Sequence, residues 1–182
     1  MTFEGFEVDG CEVRLCKIGR GVFATKDFKV GDILAVLEWD KDILVPLEKV
    51  IDDDADHAMQ VDDEWYVPGA WARNSKHYDP CCIDCANHSC EPNCGIRQTS
   101  EFTAEFVCIK AINKDEEITC DYSTVSDDLR AGRLWNMRCS CGEKGCRGTV
   151  SDFRYLPKEL QRKYLRMGIV LDFIRRRYGQ NK

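Results

Sequence analysis

Short segments rich in β-branched and aromatic residues follow one another through the first two thirds of the chain, separated by glycines and charged turns. Segments of this kind predict β-strands, because side chains that alternate between apolar and polar suit a sheet with one buried face. Residues 40–62 are less regular, and we expect an inserted helix and loops there. The predicted strands cover residues 13–17, 21–25, 33–38, 65–67, 95–98, 102–110 and 118–121.

After Pro157 the apolar residues recur at helical spacing, and a proline suits the first turn of a helix. Gly168 suits the end of that helix, and a second helix is predicted over residues 169–178. We expect both helices to pack on the body of the protein, while the arginines at 175–177 stay in solvent or meet an acidic surface of a partner. The side chains expected to be buried are Tyr155, Leu160, Tyr164, Leu165 and Phe173.

A length of 182 residues favours one ordinary hydrophobic core with appendages. No apolar stretch is long enough to cross a membrane, and residues 1–5 lack the features of a secretory signal. We therefore expect an intracellular protein, nuclear or cytoplasmic. Its 12 cysteines are then better candidates for metal ligands or free thiols than for disulfides.

Charge is distributed unevenly along the chain. Residues 151–182 contain nine Lys or Arg against three Asp or Glu, whereas residues 1–150 contain 17 against 29. An acidic body attracts a basic peptide and repels the phosphates of nucleic acid, so we expect no direct nucleic-acid contact. Substrate attraction is favoured only for the acidic stretches at 52–56 and 62–64, since elsewhere the charge can simply serve solubility.

Cys139, Cys141 and Cys146 are spaced so that Gly142 and Gly145 would let the backbone fold three thiolates onto one ion. Structural zinc takes four ligands, so this group lacks one. The alternative is a loop of small residues with free thiols. The spacing favours zinc.

The remaining cysteines give a weaker signal. Those at 81, 82, 85 and 94 could in principle hold another ion, but only the pair at 82 and 85 has a two-thiol spacing. Cysteines at 11, 16, 108 and 120 fall in or beside predicted strands. For both groups we favour buried thiols that act as small hydrophobic side chains.

Four segments together resemble the SET-domain protein lysine methyltransferases that have a post-SET zinc segment. They are Gly-Arg-Gly-Val-Phe-Ala at 19–24, Asn-His-Ser-Cys-Glu-Pro-Asn at 87–93, Glu-Glu-Ile-Thr-Cys-Asp-Tyr at 116–122 and Cys-Ser-Cys-Gly-Glu-Lys-Gly-Cys at 139–146. Any one such motif has a real false-positive risk, whereas several in the family's order do not arise easily by chance. The resemblance covers residues 13 to 148 approximately.

The resemblance implies a mostly β fold with a few helices, in which the segment of Tyr122 threads beneath a neighbouring loop like a pseudoknot. It implies a SET domain over 1–138, a zinc segment over 139–148 and a helical extension over 149–182. It also supplies the fourth ligand of one structural zinc ion, Cys90. We expect no cysteine-rich pre-SET block ahead of Gly19, so the resemblance does not extend to the histone-specific subfamilies that this block defines.

The same resemblance implies transfer of a methyl group from S-adenosylmethionine to a lysine ε-amine. That amine must first lose its proton, because the ammonium lone pair is occupied. Tyr122 matches the tyrosine whose hydroxyl lies beside the transferred methyl. The residues that match cofactor-binding or channel positions are Gly19, Arg20, Gly21, Tyr66, Asn87 and His88.

The chain departs from the family's pattern at two places. Asp84, Cys85 and Ala86 stand where relatives commonly have an arginine and an aromatic residue. Cys120 stands where many relatives have Phe or Tyr, and its small side chain leaves room for a di- or trimethylated product.

We expect the substrate to be a basic, lysine-containing protein or peptide, with histone as one candidate, and no membrane. Two alternatives remain at this point. One is the same chemistry on a small-molecule amine, and the other is a zinc-stabilised interaction module that has lost catalysis.

Overall fold

The computed structural model describes residues 7–46, 49, 58–67, 82–129 and 136–179. Within these ranges the chain is mostly β, as predicted. Its strands are β1 (Cys11–Cys16), β2 (Gly19–Ala24), β3 (Ile33–Glu38), β4 (Val45–Pro46), β5 (Met59–Gln60), β6 (Trp65–Val67), β7 (Asn87–His88), β8 (Cys94–Ser100), β9 (Thr103–Cys108), β10 (Glu117–Cys120), β11 (Asn136–Arg138) and β12 (Thr149–Ser151). The α-helices of the described part are α1 (Lys158–Met167) and α2 (Asp172–Tyr178). None of the described helices is long and apolar enough to cross a membrane.

Each predicted strand is present, with ends that differ by at most two residues from the prediction. In the irregular region, the described part contains a 3₁₀ turn at Lys41–Ile43 and the short strands β4 and β5, and the expected helix stays a prediction. Residues 47, 48 and 50–57, which include the acidic stretch at 52–56, lie outside the described residues.

Three small sheets form most of the described body. One has the order β1-β2-β10-β7, the second β3-β9-β8 and the third β4-β6-β5. Strand β10 pairs antiparallel with β2 and parallel with β7, so it lies between segments that are far apart in sequence. Strands β11 and β12 pair antiparallel, with Arg138 opposite Thr149, and thereby close a loop that contains the zinc segment, residues 139–148.

The C-terminal helices share the main hydrophobic core with the strands. Tyr164 of α1 and Phe173 of α2 are 1% and 0% exposed, and they belong to the same buried cluster as Phe106 of β9 and Ile118 of β10. The segment between the helices approaches β8 so closely that a Cβ at Gly95 would lie 2.8 Å from Cβ of Ile169. The helices are therefore part of the folded core, as predicted.

The ends of α1 follow the predicted signals. The helix begins at Lys158, directly after Pro157, and ends at Gly168, whose φ of 67° lies in the left-handed region that favours glycine. The second helix is shorter than predicted and begins at Asp172 instead of residue 169.

Burial in the tail agrees with prediction except at one residue. Leu160 and Leu165 are partly buried against the core, as expected. Tyr155 is 61% exposed, so its predicted burial is wrong. It ends a 3₁₀ turn that buries Phe153, and its own ring lies under the Arg154 guanidinium, 5.2 Å from the ring centroid.

Arg176 stays largely in solvent, as predicted, since its side chain is 55% exposed, whereas the prediction is wrong for Arg177, whose side chain is 18% exposed. Arg176 pairs with Asp62 at 3.0 Å, and Arg177 pairs with Asp63 and with the buried Asp127, at 2.7 Å from the latter. Asp62 and Asp63 therefore have partners in this chain's own arginines, and their attraction of substrate stays a prediction. Long-range ion pairs of this kind leave no signal in local sequence patterns.

Candidate active site

The parallel pairing of β7 with β10 brings two of the motifs together. Asn87 lies opposite Thr119 and His88 opposite Cys120, and the Ser89 N–H donates to the Cys120 carbonyl at 3.0 Å. Next to this pair the Asn93 side chain donates to the Glu117 carbonyl at 2.8 Å and accepts from the Thr119 N–H at 2.9 Å. Asn93, a motif residue to which we gave no role, thus fixes the position of β10 beside β7.

Tyr122 follows β10 and is held at both its backbone and its hydroxyl. Its N–H donates to Nδ1 of His88 at 3.2 Å, and its hydroxyl donates to the Ala86 carbonyl at 2.9 Å. Its ring packs edge-on to the His88 ring, with centroids 5.5 Å apart. Burial raises the pKa of the Tyr122 hydroxyl well above its usual range. The hydroxyl therefore stays protonated at neutral pH and cannot act there as a phenolate base.

His88 is neutral and has a defined tautomer. Burial lowers its pKa to about 4, so it is uncharged at neutral pH. Because Nδ1 accepts the Tyr122 N–H, the ring proton resides on Nε2, which lies 3.3 Å from Sγ of Cys90. The 3.5 Å approach of Nδ1 to Asp121 is consequently not an ion pair. His88 instead bridges the backbone of Tyr122 to the Cys90 sulfur.

The first hairpin places Gly19, Arg20 and Gly21 beside Asn87. The Asn87 amide donates to the Arg20 carbonyl at 2.9 Å and to the Glu117 carboxylate at 2.7 Å. A Cβ at Gly21 would meet that carboxylate and lie 2.9 Å from Nδ2 of Asn87, so only glycine leaves the Asn87–Glu117 contact in place. Gly19 has a φ of 120°, and a Cβ there would meet nothing within 4 Å. The hairpin therefore has exposed, open backbone at Gly19 and buried, crowded backbone at Gly21, where it contacts β7.

Tyr66 lies in a different sheet from the other predicted site residues. It is 7% exposed in β6, opposite Val45 of β4 and Gln60 of β5. One contact links this sheet to the chain after Tyr122, because the Asp127 N–H donates to the Gln60 side chain at 2.8 Å. The predicted channel role of Tyr66 stays a prediction.

Four cysteine sulfurs meet at one point, although one of them comes from the loop after β7 and three from the zinc segment. Sγ atoms of Cys90, Cys139, Cys141 and Cys146 all lie within 4.8 Å of one another, and those of Cys90 and Cys139 are 3.7 Å apart. Zinc bound to four thiolates at ~2.3 Å requires sulfurs about 3.8 Å apart in a tetrahedron. This cluster could thus hold one ion, and its ligand type and spacing suit zinc. Among the described residues, no other group of this kind occurs.

Backbone N–H groups contact two sulfurs of the cluster, and burial acts on its thiols in the opposite direction. The N–H groups of Arg147 and Gly148 point at Sγ of Cys90 and Cys146, at 3.3 and 3.4 Å. Burial raises the pKa of the Cys139 thiol to about 12, whereas at Cys141 backbone hydrogen bonds outweigh burial and lower the pKa to about 7. A cation at the centre would ionise the buried thiols that the protein alone leaves protonated.

Sequence reasoning missed a buried network around Asp121. Its carboxylate accepts from Arg147 at 2.8 Å and from the Tyr164 hydroxyl at 3.0 Å. Asp121 belongs to the third motif and Arg147 directly follows Cys146, but the sequence around neither residue predicts that the two are paired. The helical spacing of Tyr164 predicted only its burial. The network thus joins the third motif, the zinc segment and α1.

Comparisons with known proteins agree with this architecture. Residues 19–123 match the family model described as "SET domain". Histone-lysine N-methyltransferase TRX1 of Oryza sativa subsp. japonica is 32% identical over 146 residues, which cover 74% of this chain and 13% of that protein. Histone H3-lysine(4) N-trimethyltransferase ATX1 of Arabidopsis thaliana is 30% identical over 146 residues, with 74% and 12% covered. The chain thus spans about an eighth of the length of these relatives.

Among solved structures, KRYPTONITE in complex with mCHH DNA, H3(1-15) peptide and SAH has a TM-score of 0.57 at 19% identity, over 77% of this chain and 29% of that one. A second KRYPTONITE complex, with mCHG DNA and SAH, gives a TM-score of 0.55 at 18% identity, over 76% and 28% of the two chains. These likenesses establish the fold. Since the family model also spans more than half of the chain, the protein is a member of the SET-domain family.

Proposed function

We propose that this chain transfers a methyl group from S-adenosylmethionine to the ε-amine of a lysine in a protein substrate, with histone H3 as the first candidate. The observation that carries the proposal is the protonated hydroxyl of Tyr122, held on the Ala86 carbonyl beside β7 and the four-cysteine cluster. Membership of the SET family supports it, and so do the histone-lysine methyltransferase names of the rice and Arabidopsis relatives.

The cofactor would be held where the first hairpin meets β7. The backbone of residues 19–21 would approach the cofactor from one side. The adjoining strand β7 consists of Asn87 and His88, and Asn87 donates to the Arg20 carbonyl. The KRYPTONITE complex contains SAH, the product form of this cofactor, in a protein of the same fold. When bound, S-adenosylmethionine supplies a sulfonium methyl, whose S–C bond breaks as the new N–C bond forms and whose electron pair returns to sulfur.

Tyr122 would orient the lysine nitrogen. Because its hydroxyl donates to Ala86, its oxygen lone pairs remain available to accept a hydrogen bond from the amine. The amine must reach the site deprotonated, and its proton leaves to solvent, since neither the protonated Tyr122 nor the already bonded Nδ1 of His88 can take it. Positioning and electrostatic stabilisation then supply the rate acceleration.

We further propose that Cys90, Cys139, Cys141 and Cys146 hold one structural zinc ion, and that the chain divides into a SET domain to residue 138, a zinc segment at 139–148 and a helical extension. Zinc at this position would tie the zinc segment to the loop after β7. A closed tetrahedral site of this type stabilises folding directly.

The net negative charge of residues 1–150, which contain 29 Asp or Glu and 17 Lys or Arg, supports a basic substrate. A histone substrate would imply action in the nucleus. The H3 peptide in the KRYPTONITE complex supports a peptide substrate, and the DNA in the same complex makes the absence of nucleic-acid contact a prediction to be tested. Tyr66 would line the lysine channel, and Cys120 would leave room in it for a second or third methyl group.

A labelling experiment tests the function. The purified protein is incubated with S-adenosylmethionine labelled in the methyl group, with recombinant histones, a cell lysate and free lysine in separate reactions. The proposal predicts label in histone H3 or another basic protein, at lysine by mass spectrometry. Label in free lysine alone would identify a small-amine enzyme. Cofactor binding by calorimetry without any transfer would identify an interaction module.

A further inference from the structure

Asp121 is a buried carboxylate directly before Tyr122, and its side chain is 0% exposed. Oδ1 accepts from the Ser123 N–H at 3.1 Å and from Nη2 of Arg147 at 2.8 Å, and Oδ2 accepts from the Tyr164 hydroxyl at 3.0 Å. A carboxylate in this environment needs a cation and several donors, because water cannot solvate it. Arg147 and Tyr164 supply these from two different segments.

Arg147 links this carboxylate to the four-cysteine cluster. Its guanidinium binds Asp121, while its own N–H donates to Sγ of Cys90 at 3.3 Å. A displacement of the zinc segment would therefore move the cation that neutralises Asp121. Tyr164 makes the corresponding link to α1, and burial raises the pKa of its hydroxyl so that it remains a donor.

Asp121 in turn fixes the backbone position of Tyr122, the next residue in the chain. It caps the 3₁₀ turn at Tyr122–Val125, in which its side chain accepts from Ser123 and its carbonyl accepts from the Thr124 hydroxyl at 2.7 Å. Displacement of the carboxylate would break its hydrogen bond to the Ser123 N–H and loosen the turn, whose first residue is Tyr122. The Tyr122 N–H, bonded to His88, and the Tyr122 hydroxyl would move with it.

We propose that Arg147 and Tyr164 are positioning residues for methyl transfer, which act on Tyr122 through Asp121. The inference rests on the proposed function. Both residues lie outside the 19–123 match to the family model, so they belong to the parts of this chain that the SET domain itself does not contain. The C-terminal segments then contribute to the rate of the reaction in addition to the stability of the fold.

A matched pair of tyrosines separates positioning from stability. Tyr164→Phe removes the hydroxyl bonded to Asp121, and Tyr178→Phe removes a hydroxyl bonded at 2.8 Å to Asp127, another buried carboxylate, five positions beyond Tyr122. Both variants should lower the melting temperature. Only Tyr164→Phe should lower kcat for histone methylation, by about threefold to tenfold, with KM, cofactor affinity and zinc content unchanged. Equal kcat in Tyr164→Phe and the parent would overturn the proposal.

Arg147 gives a second test by partial rescue. Arg147→Lys keeps a cation near Asp121 and should retain more of the parent's kcat than Arg147→Gln, when both are compared at equal zinc content. Identical kcat in the two variants would mean that the charge on Asp121 does not influence Tyr122.

A readout without turnover keeps the inference apart from the proposed function. The chain has six tyrosines, so ¹⁵N-tyrosine labelling gives few amide signals, and Tyr122→Phe identifies the one of interest. The Tyr122 amide signal should shift in Tyr164→Phe and stay in place in Tyr178→Phe. If the parent methylates no substrate, the proposed function fails, but the shift of the Tyr122 signal still tests the positioning role of Tyr164. An unchanged Tyr122 signal in Tyr164→Phe would refute that role.

Discussion

The sulfurs of Cys90 and Cys139 lie 3.7 Å apart, although 49 positions separate the two residues in the sequence. This distance matches an edge of a zinc tetrahedron and joins the loop after β7 to the zinc segment. The local spacing of Cys139, Cys141 and Cys146 indicated the metal, but only the fold brings Cys90 to the same point.

We therefore predict one zinc per chain. Cys141→Ser should lower zinc content by well over half and weaken cofactor binding, because the zinc segment would lose its attachment to the loop of His88. Metal analysis and calorimetry measure the two effects. Cys85→Ser, at another half-buried cysteine, serves as the control and should keep its zinc. Full zinc content in Cys141→Ser would refute this ligand assignment.

The ion pair between Arg177 and Asp127 should stabilise the fold. The Asp127 carboxylate is 0% exposed and its partner's side chain is 18% exposed, so Arg177→Ala leaves a buried charge with fewer donors. We expect a loss of about 2 kcal/mol in the free energy of unfolding, or about 4–8 °C in Tm. Arg175→Ala is the control, because Arg175 is 60% exposed and its ion pair within the described ranges is with Asp172 of its own helix. Equal Tm values for the two variants would show that the buried pair adds no stability.

Cys120 should permit more than one methylation. It lies opposite His88 and two positions before Tyr122, and a larger side chain there would crowd a methylated amine. We predict that the parent forms di- or trimethyl-lysine and that Cys120→Tyr shifts the product toward monomethyl-lysine. Mass spectrometry of a peptide substrate reads the products.

Since Cys120 is 7% exposed, the added ring can strain the core, and the variant is compared at equal cofactor occupancy with Cys120→Ala. Cys120→Ala should keep the parent's product distribution. A parent that stops at monomethyl-lysine in excess cofactor would refute the prediction, because another side chain would then narrow the channel.

Local patterns predicted the longer strands and both ends of α1, but neither the short strands β4, β5, β7, β11 and β12 nor the long-range partners of single residues. Strand β3 and the two ends of α1 follow from periodicity, proline and glycine signals within a few residues. The pairing of Arg176 with Asp62 spans 114 positions, and nothing in the sequence near Arg176 indicates which residue it pairs with. The same holds for Tyr164, whose spacing predicts burial but whose hydroxyl partner is set by the path of the chain after β10.

The most direct test of the account compares kcat and cofactor affinity in Tyr122→Phe and the parent. The substitution removes only the hydroxyl that donates to Ala86 and leaves the ring against His88. We predict that histone methylation falls by about a hundredfold or more in kcat, while the dissociation constant for S-adenosylmethionine changes by less than about threefold. Undiminished methylation by Tyr122→Phe would contradict the assignment of Tyr122 as the catalytic residue.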